Sequence, residues 1–503
     1  MQPDHDIRYG LAWLTVAIGA VLLIYLLMVP PVLGVADNGD FNRVMGASGI
    51  AYTDPHESYA DRYFGYAHRE YGYGNFTSGG YVSTHVLLVA LAGGIGRILD
   101  PHVFDIRVLG ACYVVLTLAA FALLVRHAPS ARGRTATGLV AAFLAAMLIM
   151  TFGDVGYTAY FQSFFGEPFA LVGMLLAVAS ALALSRTPRP SAWLYALFIA
   201  ASIAVATSKI QNAPLGFAFA LLAWRMLALR ADRFWHRRVL AGTGVLLLAS
   251  VLMIAVAPNE LKHINLYQSI FFGVLKDSPN VQKDMRELGV PEKYAGLAGT
   301  NYFQKDTVIP QSDPVLREEV LEKLGHRDIA LFYLKHPRRF IGKLEKGAAH
   351  GALVRPYYLG NYDQREGRPR GELSYAFSSW SEWKRNHMPH TLGWFAACYA
   401  VYLAGLALWW TRARTRAARL AAETLAIVAI SGLFALMVPL VGDGEADIGK
   451  HLFMFNVCFD MMVVSALTGV VYGAAHGVAS RWTTRRGKEE RGIPGDARQV
   501  HHD

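Results

Sequence analysis

The sequence predicts an all-α polytopic membrane protein of about ten transmembrane helices. Hydrophobic residues make up 53% of its 503 positions and charged residues only 17%, and the apolar residues come in long unbroken blocks instead of at amphipathic spacing. A helix needs about 20 such residues to cross the hydrocarbon core, and blocks such as 11–33 and 420–441 are too long for barrel strands. The arginines collect in short loops beside these blocks, as loops on the cytoplasmic side of a membrane do.

Taken in order, spans are predicted near 11–34, 104–125, 136–152, 164–185, 191–207, 213–230, 239–257, 391–410, 421–442 and 452–474. The first block runs through Pro30 and Pro31 without a small-residue cleavage site and reads as a span, not a signal peptide. The stretch 81–99 is apolar but short, with Gly93, Gly94 and Gly96 and with His85 and Arg97 inside it. It is read as an interfacial helix, because only then do Arg126, Arg186, Arg230, Arg412 and Arg481 all fall in cytoplasmic segments. Both termini are then cytoplasmic, in an expected bacterial inner membrane.

This assignment divides the chain into an N-terminal membrane module (1–257) and an outer domain (258–390), followed by a C-terminal membrane module (391–474) and a basic tail (475–503). The N-terminal module carries a first outer loop, 35–103, with interface helices. Helical pieces are expected at 314–324 and 330–345, with turns over 356–369. The net charge of +10 is accounted for by topology, so no nucleic-acid partner is expected. Cys112, Cys398 and Cys458 all fall in spans, which leaves neither a disulfide framework nor a CxxC metal site.

The chemically loaded residues gather on the outer face. Asp37-Asn38-Gly39-Asp40-Phe41-Asn42-Arg43 lies where the first span leaves the membrane. Two carboxylates there suit proton abstraction or a divalent cation; a polar turn with a helix cap is the plainer reading. The loop before the last span holds Asp443, Glu445, Asp447, Lys450 and His451 within ten residues. The acids suit the start of a following helix, or Lys450 and His451 hold a phosphate while an acid meets sugar hydroxyls.

Glu167, at a membrane entry, and Lys209 and Gln211, between two spans, add polar groups on the same side. In the outer domain Arg338 and Arg339 belong to a basic run, Lys335 to Arg339, that either attracts lipid phosphates or forms a solvated helix face. Asp460, inside the last span, is expected to face the bundle. Asn75-Phe76-Thr77 fits an N-glycosylation pattern and is taken as chance.

The layout resembles the GT-C superfamily of membrane glycosyltransferases. The stretch Asp40 to Arg43 matches an Asp-x-x-Arg at the first exit, and Ser83-Thr84-His85-Val86-Leu87 and Arg107-Val108-Leu109 stand where members carry His-Pro-Pro-Leu and Arg-Leu. The two prolines are missing here. The resemblance implies a sugar donor on a polyprenyl phosphate, with Asp40 as catalytic base and Asp37 assisting. Lys209, Lys450, His451, Arg338 and Arg339 are the candidates for the donor phosphate. Arg43, His85, Glu167, Gln211, Asp443, Glu445 and Asp447 are those for the rest of the substrates. The acceptor is a glycan, lipid or protein, a divalent cation is an open cofactor, and membrane lipids surround the whole. Competing readings are a lipid-linked glycan transporter or flippase, a non-catalytic polysaccharide assembly subunit and, among enzymes, a glycan polymerase or ligase.

Overall fold

A computed structural model describes residues 3–77 and 81–489. Among them, nine helices are long and apolar enough to cross a membrane: Ile7–Met28, Arg107–Arg126, Arg134–Phe152, Glu167–Arg186, Ile210–Leu229, Arg233–Ala255, Leu392–Arg412, Arg416–Gly442 and Phe453–Gly477. The expected tenth, at 191–207, is the shorter apolar helix Ala192–Ser208. Its 17 residues measure about 26 Å at about 1.5 Å per residue, near the lower limit for a crossing. The fold is therefore all-α, apart from a small antiparallel sheet in the first outer loop.

Of the most apolar 18-residue stretch of the helix Glu167–Arg186, 94% is buried, and this helix forms the axis of the bundle, whereas the corresponding shares for Arg233–Ala255 and Leu392–Arg412 are 22% and 17%, which places these two helices on the periphery. Small residues on the axial helix let its neighbours approach. At Gly173 an added Cβ would lie 3.0 Å from Val205 and 3.1 Å from the Ala201 carbonyl, so Ala192–Ser208 packs directly on this backbone. All three cysteines are free.

The stretch 81–99 forms the helix His85–Leu99. At 15 residues it is about 22 Å long, too short for a core of about 30 Å. It packs against the short helix Phe41–Ser48 and the span Arg107–Arg126. Three strands, Ile50–Ala51, Glu70–Tyr73 and Val103–Asp105, pair antiparallel with Ile50 opposite Tyr73 and Tyr71 opposite Phe104. This sheet ties the loop that carries Asp40 to the start of the second span.

The outer segment 258–390 behaves as two parts. Residues from Leu266 to Tyr333 bury their own apolar cluster, with Phe271, Met285, Leu316 and Phe332 at its centre. The helix expected over 330–345 is broken into His326–Lys335 and Pro337–His350, because Pro337 has no N–H to continue the first and is favoured at the start of the second. Beyond it, Ala352, Val354, Leu359 and Met388 join the main core of the bundle. The turn-rich stretch is pinned to the first outer loop by backbone hydrogen bonds from Gly34 to Asn361, Ala36 to Gly360 and Ala67 to Tyr362, each 2.9–3.0 Å.

The helix Ser379–His387 is anchored through buried charges. Lys384 Nζ donates to Asp460 Oδ1 and Asn456 Oδ1, both at 2.7 Å, and Trp380 Nε1 donates to Asp460 Oδ2 at 2.8 Å. Asp154 accepts the N–H groups of Trp380 and Ser381 at 3.0 and 2.9 Å. Asp460 thus faces the bundle as expected, as a partner of this helix.

Candidate active site

Asp37 and Asp40 sit three residues apart and have different surroundings. Asp37 is buried, and its Oδ1 accepts the N–H groups of Gly39 at 2.7 Å and Phe41 at 3.1 Å, while its Oδ2 accepts from Tyr52 Oη at 2.7 Å. It therefore caps the helix Phe41–Ser48 from outside the cavity. Burial raises its carboxyl above the ordinary value, and these hydrogen bonds only partly offset that. Asp40, next to the helix, makes no capping bond and is turned into a cavity.

There Asp40 meets Lys450 Nζ and, at 3.2 Å, Arg43 Nη1. Burial alone would raise the Asp40 carboxyl, but Lys450, Lys209 and Arg43 together override it and hold it well below the usual carboxylate range. Lys450 is 1% exposed, with its ammonium 4.2 Å from the Phe165 ring centre. Lys209 donates to Glu167 Oε1 at 2.6 Å, which places a second cation beside the first with a buried carboxylate behind it.

The opposite wall is the loop 443–451. His451 bonds through Nε2 to Asp443 at 3.0 Å and through Nδ1 to Gln211 Oε1 at 2.8 Å, so its ring bridges two spans. Burial raises the Asp443 carboxyl, and contact with His451 works against it. Asp447 adopts a left-handed backbone (φ +45°) and accepts from Asn38 Nδ2 at 3.1 Å and from Tyr358 Oη. A non-glycine residue in this region is held there by its surroundings. Gly444 (φ +61°) approaches so closely that an added Cβ would lie 2.6 Å from the Gln268 carbonyl, which fixes this loop against the outer domain.

Two adjoining cavities share Asp40, Arg43, Leu261 and Asn265. The larger, about 630 Å³, is lined mostly by polar residues and includes Asn301, Tyr358, Asp443, Asp447 and His451. The other carries Lys209 and Gln211 among apolar groups, and reaches Met253 and Ala257 at the C-terminal end of the span Arg233–Ala255. Asp40 stands where the polar and apolar compartments meet.

Of the residues singled out in the sequence, Asp40, Arg43, Lys209, Gln211, Asp443, Asp447 and His451 line these cavities, and Lys450 and Glu167 hold them through ion pairs. His85 is buried among Tyr113 and Phe169, and neither ring nitrogen has a hydrogen-bond partner. Burial keeps its imidazole well below the ordinary value, so the ring is neutral. Glu445 lies on the back of the loop, bonded to Lys343 at 2.5 Å, Lys346 at 2.7 Å and Lys276 at 2.9 Å.

Arg338 and Arg339 line neither cavity. Arg339 is engaged by Asp284 and the Val274 carbonyl, and Lys335 and His336 face Glu287. The basic run is thus largely neutralised inside the outer domain, which the local sequence does not reveal because the acids come from 50 residues away. Tyr52 and Tyr358, which hold Asp37 and Asp447, are not among the residues the sequence singles out. Their signal in sequence was only that of aromatic residues in polar loops. Among the described residues no cluster of three or more His, Cys, Asp or Glu side chains is disposed to hold a metal.

No curated protein and no solved structure matches the chain. One family model, described as the YfdI N-terminal transmembrane domain, matches residues 4–490, and the chain belongs to that family.

Proposed function

We propose that the protein is a membrane glycosyltransferase that moves a sugar from a polyprenyl-phosphate donor to an acceptor hydroxyl on the extracytoplasmic side, with Asp40 as general base. The observation that carries this reading is the position of Asp40: an ionised carboxylate under two lysines, between an apolar cavity at the membrane edge and a polar one below the outer domain. The family match over nearly the whole chain fits a membrane protein of glycosyltransferase type.

In this reading the donor's prenyl chain enters along Met253 and Ala257, and its phosphate meets Lys450 and Lys209. The acceptor occupies the polar compartment. Its hydroxyl proton passes to Asp40 as its oxygen bonds to the anomeric carbon, and the carbon–oxygen bond to the phosphate breaks with its electron pair on the leaving polyprenyl phosphate. Attack from the face opposite the phosphate inverts the anomeric centre. The lysines have two successive partners: free, they depress the basicity of Asp40; drawn onto the donor phosphate, they stabilise its growing charge and restore that basicity.

A transporter would place its acids at mid-membrane, whereas the cavity acids here stand at helix exits. The test is transfer of radiolabelled sugar from a panel of polyprenyl-phosphate donors by purified protein, native against Asp40→Asn. Loss of transfer in a folded variant supports the enzyme. Absence of transfer from every donor, with donor binding that survives the substitution, favours a transporter or assembly subunit.

A further inference from the structure

At the end of the bundle remote from Asp40 an apolar groove of about 630 Å³ opens between the spans Arg134–Phe152, Glu167–Arg186, Arg416–Gly442 and Phe453–Gly477. One wall descends the axial helix from Leu175 through Val178 and Leu182 to Arg186; another runs from Met461 to Tyr472. The ends of each wall are eleven residues apart along a helix, about 16 Å, roughly half of a hydrocarbon core of about 30 Å. Along these two walls the groove is therefore about one leaflet deep. Three of the hydroxyls along it are bonded within their own helices: Ser185 donates to the Leu182 carbonyl at 2.8 Å, Ser465 to the Met462 carbonyl at 3.0 Å and Thr468 to the Val464 carbonyl at 2.7 Å. Its interior thus presents an apolar surface.

Its mouth is cationic. Arg186 lines both the groove and an adjoining cavity of about 300 Å³, which Arg416 also lines. Arg186 donates to the His127 carbonyl. Among the described residues no carboxylate pairs with either arginine, whereas Arg225 and Arg230 at the same end are neutralised by Glu423 at 2.8 Å and Asp232 at 2.7 Å. Two guanidinium groups without a carboxylate partner among the described residues, Arg186 at the groove and Arg416 in the adjoining cavity, together with an apolar slot, match an amphiphile with an anionic head and a chain of acyl length.

We propose that this groove binds one anionic glycerophospholipid of the leaflet on the arginine-rich side, an acyl chain between the helices and the phosphodiester at Arg186 and Arg416. This site is separate from the Asp40 cavities and does not depend on the transferase reading.

The test is native mass spectrometry of the full, delipidated chain in detergent, titrated in parallel with phosphatidylglycerol, phosphatidylcholine and a polyprenyl phosphate. The expected result is one phosphatidylglycerol retained about tenfold more tightly than phosphatidylcholine. Arg416→Gln, an exposed position, lowers that preference about fivefold, and Ala421→Phe, which fills the groove, removes retention of both phospholipids. Because Arg186 also holds the His127 carbonyl, its loss confounds folding with binding, and Arg416 is the deciding variant. Equal retention of the two phospholipids, tighter retention of the polyprenyl phosphate, or a preference unchanged in Arg416→Gln overturns the proposal.

Discussion

Asp40 and Lys450 are 410 residues apart in sequence and in direct contact in the fold, carboxylate against ammonium, at the junction of the two cavities. Lys450 is almost wholly buried while the Asp40 side chain keeps 37% of its surface exposed. The pair is therefore anchored from the lysine side and presents its carboxylate to whatever fills the cavity.

Replacing that carboxylate separates chemistry from architecture. Asp40→Asn is expected to lower sugar transfer by about 10²–10⁴-fold, the usual worth of a general base, with a modest fall in melting temperature, because the buried Lys450 it leaves behind keeps only Asp447, at 4.0 Å, as a charged partner. Asp37→Asn is expected to lower the melting temperature as well, because its oxygens hold two backbone N–H groups and Tyr52. Parallel thermal unfolding and transfer assays of the two variants distinguish them; equal behaviour of the two would contradict the division of roles.

Lys450→Gln changes the pH dependence in a defined direction. The base must be ionised, so activity falls on the acid side as pH drops through the Asp40 pKa. In the native protein that value lies below the carboxylate range, and removal of the Lys450 charge moves it upward. The acid limb of the kcat/KM profile is expected to shift to higher pH, together with a rise in donor KM. An unshifted limb would mean that the titrating group is not Asp40.

Glu445 is expected to matter for stability. Burial works to raise its carboxyl, but hydrogen bonds from Lys343, Lys346 and Lys276 pull it down to about 2 from 4.5. A depressed carboxylate contributes stability that is fully present above 4.5 and is lost as pH falls toward 2. Glu445→Gln leaves the buried Lys343 with only the more distant Asp277, at 3.9 Å, as a charged partner, so a loss of about 2 kcal/mol is expected near neutral pH. Denaturant unfolding in detergent, followed from neutral to acid pH, measures it, and the variant should converge on the native protein in acid.

Lys384→Met tests the anchor of the helix Ser379–His387. The pair with Asp460 is fully buried on both sides at 2.7 Å, and removal of one partner of such a pair costs about 3–5 kcal/mol. The double variant Lys384→Met, Asp460→Leu removes both charges and is expected to recover part of the loss. Thermal unfolding of the single and double variants provides the comparison; a double variant less stable than the single would show that Asp460 finds adequate partners in Trp380 and Tyr157 alone.

The bundle is legible in the chain's composition. Long apolar blocks can satisfy their backbone in lipid only as helices, so the spans and the short interfacial helix His85–Leu99 follow from length and composition. Only the tertiary structure decided which polar residues meet. The motif after the first span identifies Asp37 and Asp40 equally, and it takes the backbone of residues 39 and 41 and the hydroxyl of Tyr52 to occupy one and leave the other facing the cavity. The acids and bases of the loop 443–451 look alike in sequence, yet Glu445 is turned to the lysines of the outer domain while Lys450 reaches Asp40. Arg338 and Arg339 carry the same charge as Lys209, but Arg339 has its acid within the outer domain and neither arginine lines the cavity. The physical reason is the range of the two effects. Hydrophobic burial in a bilayer is legible in one continuous segment, whereas the state of a charged group depends on partners that folding brings from hundreds of residues away.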